Sequence, residues 1–480
     1  MNYKQNQILK GLLWSGIDKI GIVVFQLVLE IFLARLLLPK DYGVVGIILV
    51  FISLATVFTE GGFSNALIHK QDRTETDFTA VFYFNLVMAV IFYLIIFFAA
   101  PYVENLYKIS NLTTYLRVAA LSIVLSAMAI VHKTKLSILM DFQTQAKCSL
   151  VAVIISGILS LVMAYYGYGV WSLIIQILLL NFINTILLWI VLKWVPQFYF
   201  SYNSIKGLFG FGSKILLASI IQSTYFNSYP ILIGKFLSIK DLGVFSKSNQ
   251  FTLMPASVFS SILQRVLFPF FASHQNDDDK IFQTNQMYTL ICCLIFFPFF
   301  FTLAAVSEPL VLVFFSSKWS EMIGIFTMFC FSFSIYPVSV NNMMIFQVKN
   351  KTKLFLNVEI ITKLIGVIIL IVIINKGIVA IGFGILIQQT VQLLITSIIV
   401  QKLLKEKVFS QLKIILPLFI FSLFNTVFVK YLLNFLHVGD FAKVIVGSSL
   451  SLLLFSIFYS LFYRNKILEV VDLLKKARLN

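Results

Sequence analysis

The sequence predicts an all-α protein that crosses a membrane many times. Of its 480 residues, 59% are hydrophobic and only 12% are charged, and the mean hydropathy is +0.95. A water-soluble protein needs more polar surface than this composition supplies. The apolar residues form continuous runs rather than the alternating pattern of barrel strands. These observations argue against a soluble enzyme, a DNA-binding protein and a secreted disulfide-rich domain.

About 14 transmembrane helices account for the composition. Helices of about 20 residues each would use about 280 residues, which is close to 59% of the chain. Polar and turn-forming residues separate the apolar runs, for example Pro39-Lys40-Asp41, Pro101 and Gly439-Asp440. In chain order we predict helices at residues 12–36, 43–66, 79–100, 114–136, 148–165, 170–192, 211–234, 248–271, 287–306, 322–346, 354–374, 378–401, 411–432 and 441–463.

Basic residues are distributed unevenly over the connections between these helices. The formal net charge is +17. With both termini in the cytoplasm, 23 Lys and Arg residues fall on the cytoplasmic side and 10 on the opposite side. Membrane proteins in general enrich Lys and Arg in cytoplasmic loops. The distribution therefore predicts cytoplasmic termini, and it explains most of the positive charge without a nucleic acid partner.

A ten-residue stretch occurs twice, 200 positions apart. Residues 35–44, RLLLPKDYGV, align with residues 235–244, KFLSIKDLGV. The match predicts that helices 1–6 repeat as helices 7–12 in the same orientation, as in transporters built from parallel repeats. We therefore expect two pseudo-symmetric six-helix lobes and a C-terminal helix pair. Their bounds are 1–195 for the N-terminal lobe, 196–403 for the C-terminal lobe, and 404–480 for helices 13 and 14 with a cytoplasmic tail.

Polar side chains inside the helices indicate a candidate transport pathway, because a charge at the centre of a membrane helix costs about 2.5–3.5 kcal/mol. Helices 1 and 2 are the repeat partners of helices 7 and 8, so we expect their polar residues to meet in a cleft between the lobes. The alternative is that these side chains only pack the helices together. The candidates are Lys19, Gln26, Glu30, Glu60, Lys214, Gln222, Asn227 and Arg265.

Motifs for catalysis or for a bound metal are not evident in the sequence. The four cysteines lack the CxxC spacing of metal sites, and the four histidines are scattered. The hydrolase, metalloprotease and nucleotide-binding motifs do not occur in a suitable context. We therefore expect no catalytic residues, no metal and no cofactor. Glu359 and Lys363, four residues apart on helix 11, are expected to form a structural ion pair.

A series of different short motifs occurs along the first three quarters of the chain. They are LARLL at 33–37, YG at 42–43, GGFSNALI at 61–68, GYGVWSL at 167–173, FGSK at 211–214, IGKF at 233–236, KDLG at 240–243, QRVLFP at 264–269 and EPL at 308–310. In this order they resemble polysaccharide flippases of the Wzx type, in the TuaB/WzxC-like branch of the multidrug/oligosaccharidyl-lipid/polysaccharide exporter superfamily. One position departs from the pattern, since that family usually has glycine where Asn350 stands.

The resemblance implies a flippase that moves undecaprenyl-pyrophosphate-linked oligosaccharide across the bacterial inner membrane by ion-coupled alternating access. Such a protein would serve capsule, O-antigen (lipopolysaccharide) or exopolysaccharide assembly. Its expected partners are the lipid-linked oligosaccharide, H⁺ or Na⁺ as coupling ion, membrane lipids and a polysaccharide polymerase machinery. Lys19, Lys214 and Arg265 are candidates to hold the pyrophosphate, because cations form strong hydrogen bonds with anionic oxygens. Glu30 or Glu60 would take the coupling ion.

Three other functions stay open at this stage. A drug or cation antiporter of the same superfamily should have an acidic cleft, whereas the cleft candidates here include three bases and two acids. A membrane glycan polymerase, which is an enzyme, would be expected to carry a large external loop. A lipid-binding scaffold without transport has no distinguishing sequence feature.

Overall fold

The protein is helical throughout the part of the chain that the computed structural model describes. That part comprises residues 21, 25–60, 62–199, 201–466 and 468, without the side chains at positions 203, 211, 214, 218, 265 and 266. Within it the helices are joined by short connections, and no strand is found. The predicted all-α class is confirmed.

Two compact units make up the chain, Met1–Ser246 and Lys247–Asn480, and the division falls inside helix α9. The lobe boundaries expected from the repeat are a different division and stay a prediction. The helices that begin in the first unit are α1 (25–36), α2 (Pro39–Glu60), α3 (Phe63–His69), α4 (Glu75–Tyr107), α5 (Leu112–Ile138), α6 (Phe142–Tyr165), α7 (Val170–Leu192), α8 (Tyr202–Phe236) and α9 (Ile239–Ser273). Those of the second unit are α10 (Asp278–Ala305), α11 (Ser307–Phe314), α12 (Met322–Ser334), α13 (Tyr336–Val348), α14 (Thr352–Ile373), α15 (Ile378–Leu403), α16 (Ser410–Phe435) and α17 (Asp440–Phe462).

The described helices include 12 that are long and apolar enough to cross a membrane, or 13 when the bent helix α8 is counted. Each of these corresponds to one predicted helix; α2 with α3, and α12 with α13, each form one of them. The remaining predicted helix, at residues 12–36, lies mostly outside the described residues. The described residues therefore contain 12 or 13 candidate membrane spans, as expected of a polytopic membrane protein.

Several helices begin earlier than hydropathy predicts, because polar capping residues start them. The Asp141 carboxylate accepts a hydrogen bond from the Thr144 backbone N–H, so α6 starts at Phe142 rather than near 148. Thr74 and Asp77 form a reciprocal capping box at the start of α4. Such caps satisfy backbone donors that the first helical turn leaves without partners. Hydropathy alone reports the apolar core of a span and not its capped end.

Pro101 does not break its helix, contrary to the prediction. Proline at 101 has no N–H to donate to the carbonyl of Phe97, four residues earlier. The Arg117 Nε on α5 donates to that carbonyl instead, at 3.1 Å. The Arg117 guanidinium also lies 4.0 Å from the centre of the Phe97 ring. Helix α4 continues to Tyr107 because a neighbouring helix satisfies the carbonyl that proline leaves unpaired.

The connection between α7 and α8 is fixed to the first unit by Trp194. Its indole N–H donates to the Glu75 carboxylate at 2.7 Å, and Lys135 forms an ion pair with the same carboxylate at 2.7 Å. The Lys135 ammonium lies 4.8 Å from the centre of the Trp194 ring. The His132 Nε2 lies 3.2 Å from the Trp194 carbonyl oxygen. This connection therefore packs as part of the unit and is not a free linker.

The second unit contains a buried network of amide side chains. Asn341 on α13 donates to Asn285 on α10 at 2.7 Å. Asn342 donates to Gln411 on α16 at 3.0 Å, and Gln411 donates to Thr289 at 2.8 Å. All five side chains are fully buried. Because buried amides need partners, this network fixes α10, α13 and α16 relative to one another.

Helices α16 and α17, the predicted C-terminal pair, pack on α10 through hydroxyl and amide groups. The Thr302 and Ser451 hydroxyls are 2.7 Å apart, and the Asn425 amide donates to the Ser451 carbonyl at 3.1 Å. The Thr426 hydroxyl donates to the Phe301 carbonyl at 3.1 Å. Small polar contacts of this kind are typical of helix packing in membranes. The pair is therefore an integral part of the second unit.

Asn350 occupies a position where the backbone is left-handed, with φ of 54°. It lies in the turn between α13 and α14. Glycine adopts this conformation without steric cost, and asparagine is among the few other residues that tolerate it. The departure from the glycine expected at this position is therefore conservative in backbone terms.

Candidate functional site

The two membrane-spanning helices α2 and α8 lie side by side along most of their lengths in the first unit. We call this line of contact the central seam. At one end a Cβ on Gly62, just after α2, would lie 2.2 Å from the Gly212 carbonyl oxygen. Towards the other end a Cβ on Gly234 would lie 2.7 Å from Ile47. The pairs run in opposite chain directions, so the two helices are antiparallel.

A hydrogen-bonded group occupies the middle of the central seam. The Ser53 hydroxyl on α2 lies 3.0 Å from the Asn227 side-chain oxygen on α8. The Asn227 amide donates to the Ser223 carbonyl at 2.8 Å and lies 3.1 Å from its hydroxyl. All three residues are half-buried. Asn227 was predicted as a binding residue, and the structure places it in a polar group at mid-span.

Ser53 was missed by the sequence analysis. It belongs to a row of hydroxyls on α2, Ser53, Thr56 and Thr59, spaced three residues apart. The Thr56 and Thr59 hydroxyls each donate to the backbone carbonyl three residues earlier, at 2.9 and 3.1 Å. The Ser53 hydroxyl lies 2.9 Å from the Val50 carbonyl and 3.0 Å from the Asn227 Oδ1, and its single hydrogen can bond to either. A hydroxyl bonded in this way costs little inside a membrane, so a search for intramembrane charges passes over it. The three-residue spacing of hydroxyls in helix 2 was the available signal.

Glycines lie where the two helices of the central seam meet at one end. Gly62 has φ of +83°, a left-handed conformation, between α2 and α3. Helix α8 bends by 58° between Ser204–Gly210 and Ile215–Phe236. Gly212 lies in this bend, and its carbonyl is the atom nearest to Gly62. The two backbones therefore meet here without side chains between them.

The two candidate coupling acids lie far apart. The Glu30 carboxyl, on α1, interacts with the Tyr42 hydroxyl near the start of α2. Glu60 is the last residue of α2 and is exposed. The 18 residues from Tyr42 to Glu60 correspond to about 27 Å of helix. A single ion site cannot therefore use both carboxylates.

The other predicted site residues are only partly covered by the described residues. Gln26 is half-buried on α1, and Gln222 is exposed on α8. Gln222 and Asn227 are five residues apart, which places them about 140° apart around the helix. Lys19 lies outside the described residues, as do the side chains of Lys214 and Arg265. Within the described part, the structure brings Asn227 together with Ser53 and Glu30 together with Tyr42.

Two predictions about chemistry outside the pathway can be compared with the structure. Glu359 and Lys363 form the predicted ion pair, at 2.6 Å. The four cysteines are buried thiols. In the described ranges no group of three or more His, Cys, Asp and Glu side chains is close enough to hold a metal ion.

Comparison with known proteins decides the family. A family model described as polysaccharide biosynthesis protein matches residues 32–324. The chain belongs to this family. It is 27% identical over 307 residues to the succinoglycan biosynthesis transport protein ExoT of Rhizobium meliloti. It is also 24% identical over 321 residues to the teichuronic acid biosynthesis protein TuaB of Bacillus subtilis.

These two alignments cover 64% and 66% of this chain, and 62% and 66% of the relatives' own lengths. The match therefore spans slightly less than two thirds of either relative. The lipopolysaccharide biosynthesis protein WzxC of Escherichia coli is 21% identical over 328 residues, 68% of this chain and 67% of its own length. The resemblance to Wzx-type flippases of the TuaB/WzxC-like branch is thus confirmed.

Two solved transporter structures are similar in fold to this chain. The lipid II flippase MurJ in an inward closed conformation matches with a TM-score of 0.75 and 17% identity, over 95% of this chain and all of that chain. An inward-facing multidrug resistance MATE family transporter of the MOP superfamily matches with a TM-score of 0.61 and 14% identity, over 81% of this chain and 99% of its own. At these identities the likeness shows the fold alone, and this chain shares that fold with both transporters.

Proposed function

We propose that this protein translocates undecaprenyl-pyrophosphate-linked oligosaccharide across the bacterial inner membrane, for capsule, O-antigen or exopolysaccharide assembly. The single observation that carries the proposal is membership of the polysaccharide biosynthesis family in a chain with at least 12 candidate membrane spans. The relatives ExoT and TuaB are named for succinoglycan transport and teichuronic acid biosynthesis. Both names refer to a glycan, and the first also names transport.

The cargo needs a cationic and polar path, because its head carries a diphosphate and sugars. Lys19, Lys214 and Arg265 supply cations for the diphosphate, and a guanidinium binds two phosphate oxygens at once. Gln26, Gln222 and Asn227 offer amides to sugar hydroxyls. The hydrogen bond from Ser53 to Asn227 supports a polar path along the central seam. The polyprenyl chain stays in the lipid.

Transport against a gradient requires an energy source, and we propose H⁺ or Na⁺ coupling by alternating access. Glu30 is the better candidate of the two acids, because it lies inside a helix and interacts with the Tyr42 hydroxyl. Glu60 is exposed at the end of α2. An ion bound at Glu30 would lie beside the Tyr42 hydroxyl, near the start of α2. On this proposal, Glu30→Gln abolishes the gradient dependence of transport.

Both termini are proposed to be cytoplasmic, with membrane lipids and a polysaccharide polymerase machinery as partners. The support is the charge distribution, with 23 basic residues on one predicted side and 10 on the other. Impermeant labelling of single cysteines at the two termini in intact and permeabilised cells tests the orientation. Labelling in intact cells would contradict it.

The test of the binding residues uses purified protein in liposomes that contain a fluorescent undecaprenyl-pyrophosphate oligosaccharide. Leaflet exchange is followed for wild type and for Lys19→Ala, Lys214→Ala and Arg265→Ala. Each variant is expected to lose at least about tenfold in rate, the effect of one lost charge-assisted hydrogen bond. Lys206→Ala is the matched control, since Lys206 is exposed near the start of α8. The proposal would be contradicted if only the control lost exchange. It would also be contradicted if all four variants exchanged the lipid at the wild-type rate.

A further inference from the structure

The two copies of the ten-residue repeat meet in the first unit. Helices α2 and α9 begin at Pro39 and Ile239, which are equivalent positions of the repeat. A Cβ on Gly43 would lie 1.8 Å from the Ile239 carbonyl oxygen, and a Cβ on Gly243 would lie 1.8 Å from the Pro39 carbonyl oxygen. This contact is reciprocal, so the two helix starts touch backbone to backbone around a local pseudo-two-fold axis.

Each copy of the repeat carries two basic residues within four sequence positions of this contact. Lys40 follows Pro39, and Lys240 follows Ile239, so one lysine flanks the crossing on each side. Arg35 and Lys235 stand at the preceding repeat-equivalent positions, in the last turns of α1 and α8. All four residues are exposed. We call Arg35, Lys40, Lys235 and Lys240 the repeat patch.

The acidic residues of the repeat form hydrogen bonds at the helix starts. The Asp41 carboxylate is buried and accepts from the Leu38 backbone N–H at 2.9 Å. The Asp241 carboxylate accepts from the Ser238 hydroxyl at 2.6 Å, and that hydroxyl accepts from the Asp241 backbone N–H at 3.0 Å. Residues 35–44 and 235–244 hold four bases and two acids, and Glu30 beside Tyr42 adds a third acid, so the charge balance remains positive.

Exposed tyrosines place this end of the first unit at the depth of lipid headgroups. Tyr102 is 78% exposed near the end of α4, and Tyr165 and Tyr166 are 76% and 74% exposed at the end of α6. Tyr107 on α4 donates to the Ile231 carbonyl on α8 at 3.4 Å, and Lys235 donates to the Leu106 carbonyl at 3.2 Å. Tyrosine is enriched at the membrane–water interface. The repeat patch lies at the same end of the unit as these tyrosines, where lipid phosphates would be within reach.

The predicted topology gives no reason for these cations. Basic residues are depleted on the side opposite to the termini, and four of the ten predicted there belong to the repeat patch. We propose that the repeat patch binds the phosphate groups of a lipid headgroup in the leaflet opposite to the termini. Resting on the proposed function, the occupant is the diphosphate of the translocated glycolipid as it leaves the transport pathway. The same chemistry would also accept an anionic phospholipid.

The experiment uses full-length protein in neutral phosphatidylcholine vesicles, with a photoreactive farnesyl pyrophosphate as probe. Crosslinks are mapped to peptides by mass spectrometry. We expect crosslinks in residues 35–44 and 235–244, reduced at least about tenfold in Lys40→Gln/Lys240→Gln. The matched control, Lys318→Gln/Lys376→Gln, removes two exposed lysines predicted on the same side and should retain the crosslinks. Lys40→Arg/Lys240→Arg should also retain them, which separates charge loss from misfolding.

Competition identifies the source of the phosphate. If unlabelled farnesyl pyrophosphate competes and phosphatidylglycerol does not, the occupant is the diphosphate. If both compete equally, the repeat patch is a general phospholipid site. Absence of crosslinks from the patch, or equal loss in both glutamine variants, would overturn the inference. Crosslinks without leaflet exchange would overturn the proposed function alone, and exchange without crosslinks in the patch would overturn this inference alone.

Discussion

At the scale of single residues, positions without a side chain set how closely helices approach in the first unit. Gly43 and Gly243 each face a backbone carbonyl at a distance that excludes a Cβ. Gly207 on α8 has open space around it instead. The sequence alone does not tell a glycine in a close helix contact from a glycine in open space, and only the structure distinguishes the two.

Gly43→Ala and Gly243→Ala are therefore expected to destabilise the protein by about 1–3 kcal/mol each, the usual cost of overpacking. The helix starts must move apart to admit the methyl group. Thermal unfolding of the purified protein in detergent measures the effect. Gly207→Ala is the control and is expected to be neutral or stabilising by up to about 1 kcal/mol, because alanine favours the helix. Unchanged stability in both repeat variants would show that the reciprocal contact does not form.

Another residue-scale prediction concerns the pair Ser53 and Asn227 in the central seam. Their hydrogen bond joins α2 to α8. A double-mutant cycle with Ser53→Ala and Asn227→Ala should give a coupling free energy of about 0.6 kcal/mol, the average for such bonds in membrane proteins. Ser219→Ala is the control partner, since Ser219 lies two turns from Asn227 on α8. Additive effects of the Ser53 and Asn227 changes would argue against the bond.

At the scale of secondary structure, Arg117 shows how one helix compensates a defect in another. Pro101 leaves the Phe97 carbonyl of α4 without its helical donor, and Arg117 of α5 supplies one. Treating proline as a break misassigns Pro101, and no pattern in the sequence pairs it with Arg117. Each residue is explained only by the other.

The compensation predicts coupling between the two positions. Arg117→Met should cost about 1.5–3 kcal/mol in the native background, because a bond to a charged donor is lost. In the Pro101→Ala background, residue 101 regains an N–H that bonds to Phe97, so the same change should cost clearly less. Denaturant titration of the four proteins measures the cycle. An equal cost in both backgrounds would contradict the account.

At the scale of the whole molecule, hydropathy predicted the fold class, whereas the transport site stays a prediction. Helix 170–192 was predicted with the bounds that the structure gives, because its ends are glycine and lysine turns beside an apolar run. The predicted site relied on intramembrane charge, which carries a high energetic cost and is therefore visible in sequence. Ser53 and the glycine contacts carry no such cost, and they depend on which helices become neighbours. Hydropathy contains no information about neighbours.

The central claim is that the protein moves a lipid-linked glycan between leaflets. The most direct test is the initial rate of leaflet exchange of a fluorescent undecaprenyl-pyrophosphate oligosaccharide by wild-type protein in liposomes. The rate is measured with and without an imposed proton or sodium gradient, and a cationic dye is monitored in parallel. The account predicts exchange well above protein-free vesicles, faster with one of the gradients, and no dye transport. Dye expulsion without glycolipid exchange under either gradient would contradict it.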